Sequence, residues 1–400
     1  MLFLVLLCYL TYKYVRVELP YYLSDYNGHT YVYYPLFSKT HLWEGWKAAP
    51  YFMWHGVTFF LNKILLIPLE NSAAYSACVF AGFSYLVFYW ILQRICIKRD
   101  LPENSPIKLG LIAFLLCLAQ PITLSFADTF AYSLNPLYSP TQMCVRPFAL
   151  LCFCLIYDIW GAQKDSSYHG TFFAVEAGLK KYYILWSVLL FLSTLAKPTF
   201  AEMFIPAVAF SMLFEWISRI RRKNGTAKPY FRHCLFTLYC SIPALLYILL
   251  QFTGYFLLDG SYMSEGSFIF TRFLEVWKLY SENVALSLLL SLTFPLFLFF
   301  LNPLHFFKND AGRLALACCL VSFIEAAFFG ESGIKFSNCN FFWPMMSAML
   351  LFFTVCTARL LVLEHTQTEK RFQRVLLSVS WFLFGLHGLF GILFILTNPR

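Results

Sequence analysis

The chain begins with a strongly apolar segment, MLFLVLLCYLTYKYVRV (residues 1–17), and a polar, aromatic stretch follows it closely, LSDYNGHTYVYYPL (residues 23–36). The first segment can cross a bilayer as a helix, because a transmembrane helix needs roughly 17–25 mostly apolar residues. The second contains an acid, an imidazole and four tyrosines, so it belongs outside the hydrocarbon layer. This alternation continues along the chain and predicts an all-α polytopic membrane protein.

The composition supports this fold class. Hydrophobic residues make up 60% of the chain and charged residues only 13%, which excludes a soluble globular domain. The thirteen cysteines lie mostly within apolar runs, and no CxxC pair or Cys/His spacing indicates a disulfide framework or a zinc site. The chain also contains no P-loop, no GxGxxG after a strand, no HExxH and no GxSxG, so we expect no cofactor and assign no metal ligand.

Windows of about 20 apolar residues predict about eleven membrane spans, in a single transmembrane domain that covers residues 1–400. The spans are approximately residues 1–17, 73–97, 109–126, 141–160, 183–197, 200–218, 233–257, 284–301, 313–329, 341–360 and 375–396. The first outer loop, residues 18–72, is the longest polar segment. Its second half, residues 47–69, is apolar and aromatic at helical spacing, which indicates an interfacial helix; a re-entrant helix is the alternative.

Lysine and arginine residues lie in every second loop of this arrangement. They occupy the loops at residues 98–108, 164–181, 219–232, 308–313 and 370–374. By the positive-inside rule these loops face the cytoplasm together with the N-terminus, and the first outer loop and the C-terminus face outside. The net charge of +9 is thus explained by topology, with membrane lipids and not nucleic acid as partners.

The polar stretch after the first span holds the strongest catalytic candidates. Asp25 and His29 lie four residues apart, on either side of an Asn27-Gly28 pair that favours a backbone turn. A carboxylate helped by an imidazole can accept a proton from a reacting hydroxyl. The alternative is an aromatic anchor loop at the membrane interface, in which the acid and the imidazole are incidental.

A second polar stretch, residues 131–147, leads into the fourth predicted span. Ser139, Pro140 and Gln142 form a strong helix start, since Ser caps a helix and Pro suits its first position. Arg146 then lies about 10 Å below the cap, where a cation beneath an outward-facing helix N-terminus suits an anionic phosphate. The alternatives are that Arg146 reaches up to the headgroups or pairs with an acid on a neighbouring span.

The corner before the sixth predicted span repeats this design. Thr199 and Glu202 form a capping box, and Lys197 places a cation at an outer corner that is otherwise apolar. Lys197 is therefore a second candidate for phosphate binding. The alternative is a plain helical hairpin with its cap, and for Glu202 we favour that alternative.

Further polar residues cluster near the tenth predicted span. Glu325 lies within the membrane and needs a partner, most simply Arg146 or Lys197, and Lys335 is a third candidate for phosphate binding. Amide and aromatic side chains can bind a sugar, although tryptophan is also common at membrane interfaces for other reasons. The candidate sugar- or acceptor-binding residues of the outer face are Tyr132, Asn135, Tyr138, Asn338, Asn340 and Trp343.

Four short motifs carry a resemblance to a known family. They are DYNGHT (residues 25–30), NPLYSPTQMCVRP (residues 135–147), KPTF (residues 197–200) and NFFW (residues 340–343). With an acid in the first outer loop, an interface helix and about a dozen spans, the chain resembles the GT-C superfamily of integral membrane glycosyltransferases, and in particular a poorly characterised bacterial branch. Many members carry further acids beside the first, which this loop lacks.

The resemblance implies transfer of a sugar from a polyprenyl-phosphate-linked donor to a cell-envelope glycan or lipid acceptor, at the outer face of the cell membrane. Asp25 would be the general base, helped by His29, and Arg146, Lys197 and Lys335 would hold the donor phosphate. Two other functions stay open: non-enzymatic transport of a lipid or glycan, and polymerisation or ligation of lipid-linked glycans. Polar residues concentrate at the outer face, which favours an enzyme over a transporter.

Overall fold

The computed structural model describes residues 1–22, 24–39, 51–101, 104–122, 137–165, 167–175, 180–222, 226–253, 268–366 and 371–397. Within these ranges each predicted span overlaps a helix. The helices are α1 (Leu2–Glu18), α2 (Leu69–Lys98), α3 (Pro106–Leu118), α4 (Pro140–Lys164), α5 (Lys180–Ala196), α6 (Thr199–Arg222), α7 (Ala227–Phe252), α8 (Val284–Leu301), α9 (Asp310–Phe328), α10 (Trp343–Thr366) and α11 (Arg371–Thr397).

Eight of the described helices are long and apolar enough to cross a membrane: α2, α4, and α6 to α11. The remaining three are shorter, with 17 residues in α1 and in α5 and 13 in α3. Strands in the described part are limited to an antiparallel pair, β1 (Phe268–Phe270) and β2 (Phe329–Glu331). The prediction of an all-α, multi-pass membrane protein is confirmed.

Helix α4 lies at the centre of the bundle. Of its most apolar stretch 83% is buried, whereas the corresponding share is 28% in α7 and in α11, which therefore present most of their surface to lipid. Gln142, in the first turn of α4, donates a hydrogen bond to the carbonyl oxygen of Trp343 at the start of α10. The two central helices thus begin at the same end of the bundle, and their polar first turns meet there.

Helix α3 ends at Leu118, well before residue 126, the end predicted from hydropathy. Its last carbonyl groups include those of Leu116 and Cys117, which accept hydrogen bonds from the Arg146 guanidinium at 3.2 and 2.9 Å. The last four carbonyls of any helix lack partners within the helix, and a bilayer provides no water to replace them. Arg146 therefore caps α3, and its charge suits the negative end of the helix dipole.

The buried chain that follows α3 is not helical, and helices α8 and α11 satisfy its backbone. His387 Nδ1 donates to the carbonyl oxygen of Gln120 at 2.6 Å, and the amide of Ile122 donates to the carbonyl oxygen of Leu290 at 3.1 Å. Irregular backbone is tolerated at membrane depth only where protein groups pair with it. Hydropathy does not detect such partners, which is why the predicted span ran too far.

The first outer loop is helical where the sequence predicted a turn. Gly28 has φ −55° and ψ −49°, the values of a right-handed helix, so the predicted Asn27-Gly28 turn is wrong. We call residues 25–39 the first loop helix, which consists of an α turn (Asp25–Asn27), a π-helical segment (Gly28–Tyr33) and an α-helix (Tyr34–Lys39).

Side-chain hydrogen bonds at its start explain this outcome. The hydroxyl of Ser24 accepts a hydrogen bond from the backbone amide of Asn27 at 3.1 Å, which is a helix N-cap. The side-chain amide of Asn27 donates to the carbonyl oxygen of Leu19 at 2.6 Å, just after α1. The asparagine that favours a turn in isolation is therefore used to attach the first loop helix to α1.

A second loop helix covers residues 52–64, shorter than the predicted 47–69. It consists of an α-helix (Phe52–Phe59) that continues as a π-helix (Phe60–Ile64), and residues 40–50 lie outside the described part. Its buried face consists of Trp54, His55 and Thr58. Thr58 Oγ1 donates to Ser76 Oγ of α2 at 2.9 Å, so the helix packs against the first turns of α2.

Close contact between α3 and α11 depends on two glycines. A β-carbon added to Gly391 would lie 1.9 Å from the carbonyl oxygen of Leu118, and one added to Gly388 would lie 2.6 Å from the Leu115 side chain. By contrast, a β-carbon added to Gly385, on the same helix, would meet nothing within 4 Å. The end of α3 is therefore packed directly against the α11 backbone.

We predict that Gly391→Ala destabilises the protein by about 1–3 kcal/mol, because the added methyl group collides with a backbone oxygen that cannot move away. Gly385→Ala is the matched control, with a neutral or slightly stabilising effect of up to about 1 kcal/mol. Reversible unfolding in mixed detergent measures both. Equal stability of the two variants would contradict the packing described.

Candidate functional site

The Asp25 carboxylate lies close to the starts of α4 and α6. Its side chain is 26% exposed, yet its Oδ2 atom is buried and makes no hydrogen bond within the described part of the chain. Burial raises the pKa of Asp25, while the charge of Lys197 and the hydroxyl of Ser139 oppose that rise. A carboxylate with an unused oxygen and a raised pKa is suited to accept a proton.

Two neutral histidines, His29 and His55, form a hydrogen-bonded pair beside Asp25. His55 Nδ1 lies 2.8 Å from the carbonyl oxygen of Tyr51, which can only accept a hydrogen bond, so this nitrogen carries the proton. His29 Nδ1 lies 3.3 Å from His55 Nε2 and must donate to it. Burial lowers the pKa of each ring to about 3, so both histidines are neutral at pH 7.

This order leaves His29 Nε2 without a proton. The atom lies 3.7 Å from Asp25 Oδ2, which is too far for a direct hydrogen bond. Both atoms are acceptors, so the space between them favours a group that brings a proton. A hydroxyl bound there can donate its single proton to one of the two acceptors, and the carboxylate of Asp25 is the one that carries a negative charge.

Aromatic rings fix the orientation of His29. The centroids of Tyr33, Tyr51 and Trp54 lie 5.2, 5.9 and 6.0 Å from the centroid of the imidazole. Tyr33 belongs to the first loop helix, and Tyr51 directly precedes the second loop helix. The two loop helices therefore pack together around His29. A side chain held in this way is pre-organised, which is what precise proton transfer requires.

Lys197 is the cation of the site and is only 4% exposed. Its Nζ atom lies 3.7 Å from the centroid of the Trp343 ring, a close cation–π contact, and 3.5 Å from Ser139 Oγ. Burial lowers the pKa of Lys197 to about 8, while the charges of Asp25 and Glu202 oppose the shift. Lys197 is therefore mostly cationic at pH 7 and can stabilise a developing negative charge.

Hydrogen bonds between helix starts hold the acid and the cation in place. Ser139, the N-cap of α4, lies beside both Asp25 and Lys197. One helical turn further along α4, the side-chain amide of Gln142 donates to Thr199 Oγ1 at 3.1 Å and to the carbonyl oxygen of Trp343 at 3.2 Å. The first turns of α4, α6 and α10 are thereby joined into one support for the site.

A cavity of about 300 Å³ lies beside Lys197. Three carboxylates line it, those of Glu202 in α6, Glu325 in α9 and Glu331 in β2, together with the amide of Asn340. Asn340 donates to Glu331 and accepts a hydrogen bond from Trp343 Nε1 at 3.3 Å. Carboxyl and amide groups are good hydrogen-bonding partners for sugar hydroxyls, and Lys197 is the cation that lines the cavity among the described residues.

The structure brings six predicted site residues together at this end of the bundle. They are Asp25, His29, Tyr138, Lys197, Asn340 and Trp343. The Tyr138 ring stacks on that of Trp343 with centroids 6.3 Å apart. The Trp343 ring thus contacts both Tyr138 and the ammonium of Lys197, and sugar binding by Trp343 stays a prediction.

Arg146 and Glu325 are placed differently from expectation. Arg146 lines a smaller cavity with Gln142 and Phe353, and among the described residues it is not part of the Lys197 cavity. No ion pair in the described part joins Glu325 to Arg146 or to Lys197. The structure thus separates Arg146 from Lys197, and a phosphate contact by Arg146 stays a prediction.

The remaining predicted residues lie beyond what the structure describes. Tyr132 and Asn135 fall outside the described residues. Lys335 and Asn338 belong to a 3₁₀ helix (Gly333–Asn338), and their side chains are likewise outside the described part. Their roles in phosphate or sugar binding therefore stay predictions.

Sequence reasoning missed three residues of the site. His55 lies in an apolar, aromatic segment, and a single histidine there is usually a core residue with its hydrogen bonds satisfied. The sequence favours a helix cap as the role of Glu202, and no motif marks Glu331 as a site residue. The signal for His55 was its helical register with Tyr51 and Trp54, which places all three on the buried side.

A metal site is not formed by the described residues. Asp25 and His29 face each other, but His55 Nε2 is already the acceptor of a hydrogen bond from His29. Within the described ranges no group of three or more His, Cys, Asp or Glu side chains is arranged to hold a metal ion.

Comparison with known proteins does not identify the chain: no protein-family model matches it, and no curated protein is significantly similar to it. The function of the site therefore has to be argued from its own geometry. That geometry consists of a buried carboxylate oxygen of Asp25, a buried cation at Lys197 and a cavity lined by three glutamate side chains.

We predict that Asp25→Asn lowers the pKa of Lys197 below its value of about 8, because the carboxylate charge that favours the ammonium is removed. Asp165→Asn, the same change at an exposed position, is the control and leaves the pKa unchanged. NMR titration of the isotope-labelled lysine in detergent micelles measures it. An unchanged pKa in Asp25→Asn would mean that the two residues do not share a site.

Proposed function

We propose that the chain is a membrane glycosyltransferase that moves a sugar from a polyprenyl-phosphate-linked donor to a hydroxyl of a cell-envelope glycan or lipid. The observation that carries the proposal is the position of Lys197 between Asp25 and the cavity lined by Glu202, Glu325 and Asn340. Base, cation and hydroxyl-binding surface are the parts that sugar transfer from a phosphate requires.

In this mechanism the acceptor hydroxyl binds between Asp25 Oδ2 and His29 Nε2. As its oxygen attacks the anomeric carbon of the donor sugar, Asp25 takes the proton. The bond between the anomeric carbon and the donor phosphate oxygen breaks, and its electron pair stays on the phosphate. His55 keeps His29 in the tautomer that presents a bare Nε2 to the reaction.

Lys197 stabilises the phosphate as it leaves. Its ammonium is withdrawn from water and held over Trp343, so its charge acts at a fixed position and is weakly screened. The sugar of the donor occupies the adjoining cavity, where Glu202, Glu325 and Asn340 accept or donate hydrogen bonds to its hydroxyls. These groups suit a sugar, whose hydroxyls both donate and accept hydrogen bonds.

The walls of the cavity suit a lipid-linked donor. Ile248 and Phe252 of α7 form one side of it, and α7 buries only 28% of its most apolar stretch. A donor chain can therefore leave the cavity past α7 into the bilayer. By the positive-inside rule this end of the bundle is the extracytoplasmic face of the cell membrane, and the N-terminus is cytoplasmic.

The depth of the polar groups supports an enzyme over a transporter. Glu202 lies in the first turn of α6, and Glu325 lies in the last turn of α9. Both are at the end of the bundle that carries Asp25. A transporter would need polar groups along a path through the membrane, and the cavity does not extend along one.

We predict that Asp25→Asn lowers sugar transfer by about 10²–10⁴-fold, because the proton acceptor is lost. The variant folds, since asparagine keeps the size of aspartate and removes a partly buried charge. The assay uses right-side-out and inside-out membrane vesicles that contain a polyprenyl-phosphate sugar. We expect only the right-side-out vesicles to transfer the sugar to an acceptor added outside. Asp165→Asn is the control with normal turnover.

The pH profile provides a second readout of the same variant series. Transfer falls in acid as Asp25 takes up a proton. Because burial raises the pKa of Asp25, this loss occurs at a higher pH than it would for an aspartate with its ordinary pKa. It falls in alkali near pH 8 as Lys197 loses its proton, and Lys197→Arg moves this limb upward. Normal turnover in Asp25→Asn, or movement of labelled lipid without transfer, would contradict the proposal.

A further inference from the structure

A second cavity, of about 470 Å³, lies at the opposite end of the bundle from Asp25. Its wall includes Tyr157 of α4 and Arg359 of α10, the two helices whose first turns support the candidate site. From Ser139 to Tyr157 helix α4 rises about 27 Å at 1.5 Å per residue. The cavity is therefore separate from the candidate site and lies among the basic loops.

The polar lining of this cavity is cationic. Lys98 and Arg99 at the end of α2 and Arg359 in α10 contribute three permanent charges, and His305 lies beside them. Burial, together with the charges of Arg359 and Arg99, lowers the pKa of His305, so the imidazole is neutral and the two guanidinium groups are close to it. No carboxylate is among the described residues that line the cavity.

Two acids at this end of the bundle are paired with other cations. Glu215 pairs with Arg219 and Arg313, and Asp310 pairs with Arg313 and with Lys164 at 2.6 Å. In the described part of the chain no ion pair reaches Lys98, Arg99 or Arg359. Three like charges therefore line one cavity, an arrangement that favours binding of an anion.

Hydrogen bonds within the protein hold one wall of the cavity in place. The buried carboxylate of Asp158 accepts hydrogen bonds from the backbone amides of Thr171, Phe172 and Phe173, each at 2.7 Å, and from the hydroxyl of Tyr168 at 2.6 Å. Tyr168, Thr171 and Phe172 in turn line the cavity. The wall therefore does not have to form around a ligand.

The remainder of the cavity is apolar. Phe153 in α4 and Val355 in α10 lie deeper in the bundle than the cations, with Val355 one helical turn before Arg359. The volume lies within the range of about 300–1,000 Å³ that is typical of ligand sites. A cationic rim above an apolar floor matches an anionic headgroup with an attached hydrocarbon chain.

We propose that this cavity binds a phosphate-bearing anion, whose phosphate is held by Arg99 and Arg359 with Lys98 beside them. Guanidinium groups bind phosphate through paired, charge-assisted hydrogen bonds. The source of the phosphate is either a lipid headgroup, whose chain would occupy the apolar floor, or a soluble phosphate. The site goes beyond sugar transfer and does not depend on the assignment of Asp25.

The test is thermal unfolding of the full chain in detergent, with phosphatidylglycerol, phosphatidylcholine or inorganic phosphate added. A ligand that binds the folded protein raises the midpoint in a saturable way. Phosphatidylglycerol stabilises the wild type, and the double variant Arg99→Gln, Arg359→Gln loses at least about tenfold in apparent affinity. A comparable, variant-sensitive effect of inorganic phosphate supports the site with the soluble source.

Matched variants separate the cavity from general surface charge. Arg221→Gln with Arg232→Gln removes two exposed arginines from the same end of the bundle and keeps the wild-type response. Arg99→Lys with Arg359→Lys keeps the charges and retains part of the affinity. The proposal is overturned if the glutamine variant at positions 99 and 359 responds like the wild type, or if phosphatidylcholine stabilises as well as phosphatidylglycerol.

Discussion

A bilayer gives buried polar groups no water to bind, so polar groups inside this bundle are stabilised by partners within the protein. Arg146 shows the constraint most clearly, since it pairs with the open carbonyls at the end of α3. His387 does the same for the irregular chain around Gln120. The same constraint governs the candidate site, where Lys197 is held by Trp343 and Ser139.

The candidate site follows from how the helices begin. Ser139 caps α4, and Thr199 and Trp343 start α6 and α10, so three sets of open amides and polar side chains meet at one end. The first loop helix then places Asp25 against them, and His29 extends the polar cluster to His55. In a soluble protein such helix starts are usually exposed to water. Here they are enclosed together with Asp25 and Lys197, and burial shifts the pKa of both residues.

The sequence predicts the helices well because hydropathy and caps are local properties. The start of α4 at Ser139 and the corner at Lys197 agree with the structure. Prediction failed where a distant partner decides: Gly28 is helical because Asn27 bonds to α1, and α3 stops early because Arg146 caps it. The sequence shows Glu202 and Glu325 as separate acids, because no local pattern reveals that the helices carrying them converge on one cavity.

The central claim is that sugar and phosphate bind at Lys197 and in the cavity beside it. The most direct measurement is a structure of the Asp25→Asn protein with an intact polyprenyl-phosphate sugar. The account predicts the phosphate next to Lys197, the sugar ring against Glu202 and Glu325, and the lipid chain along α7. A phosphate bound at Arg146 instead, or a donor bound away from the Lys197 cavity, would contradict it.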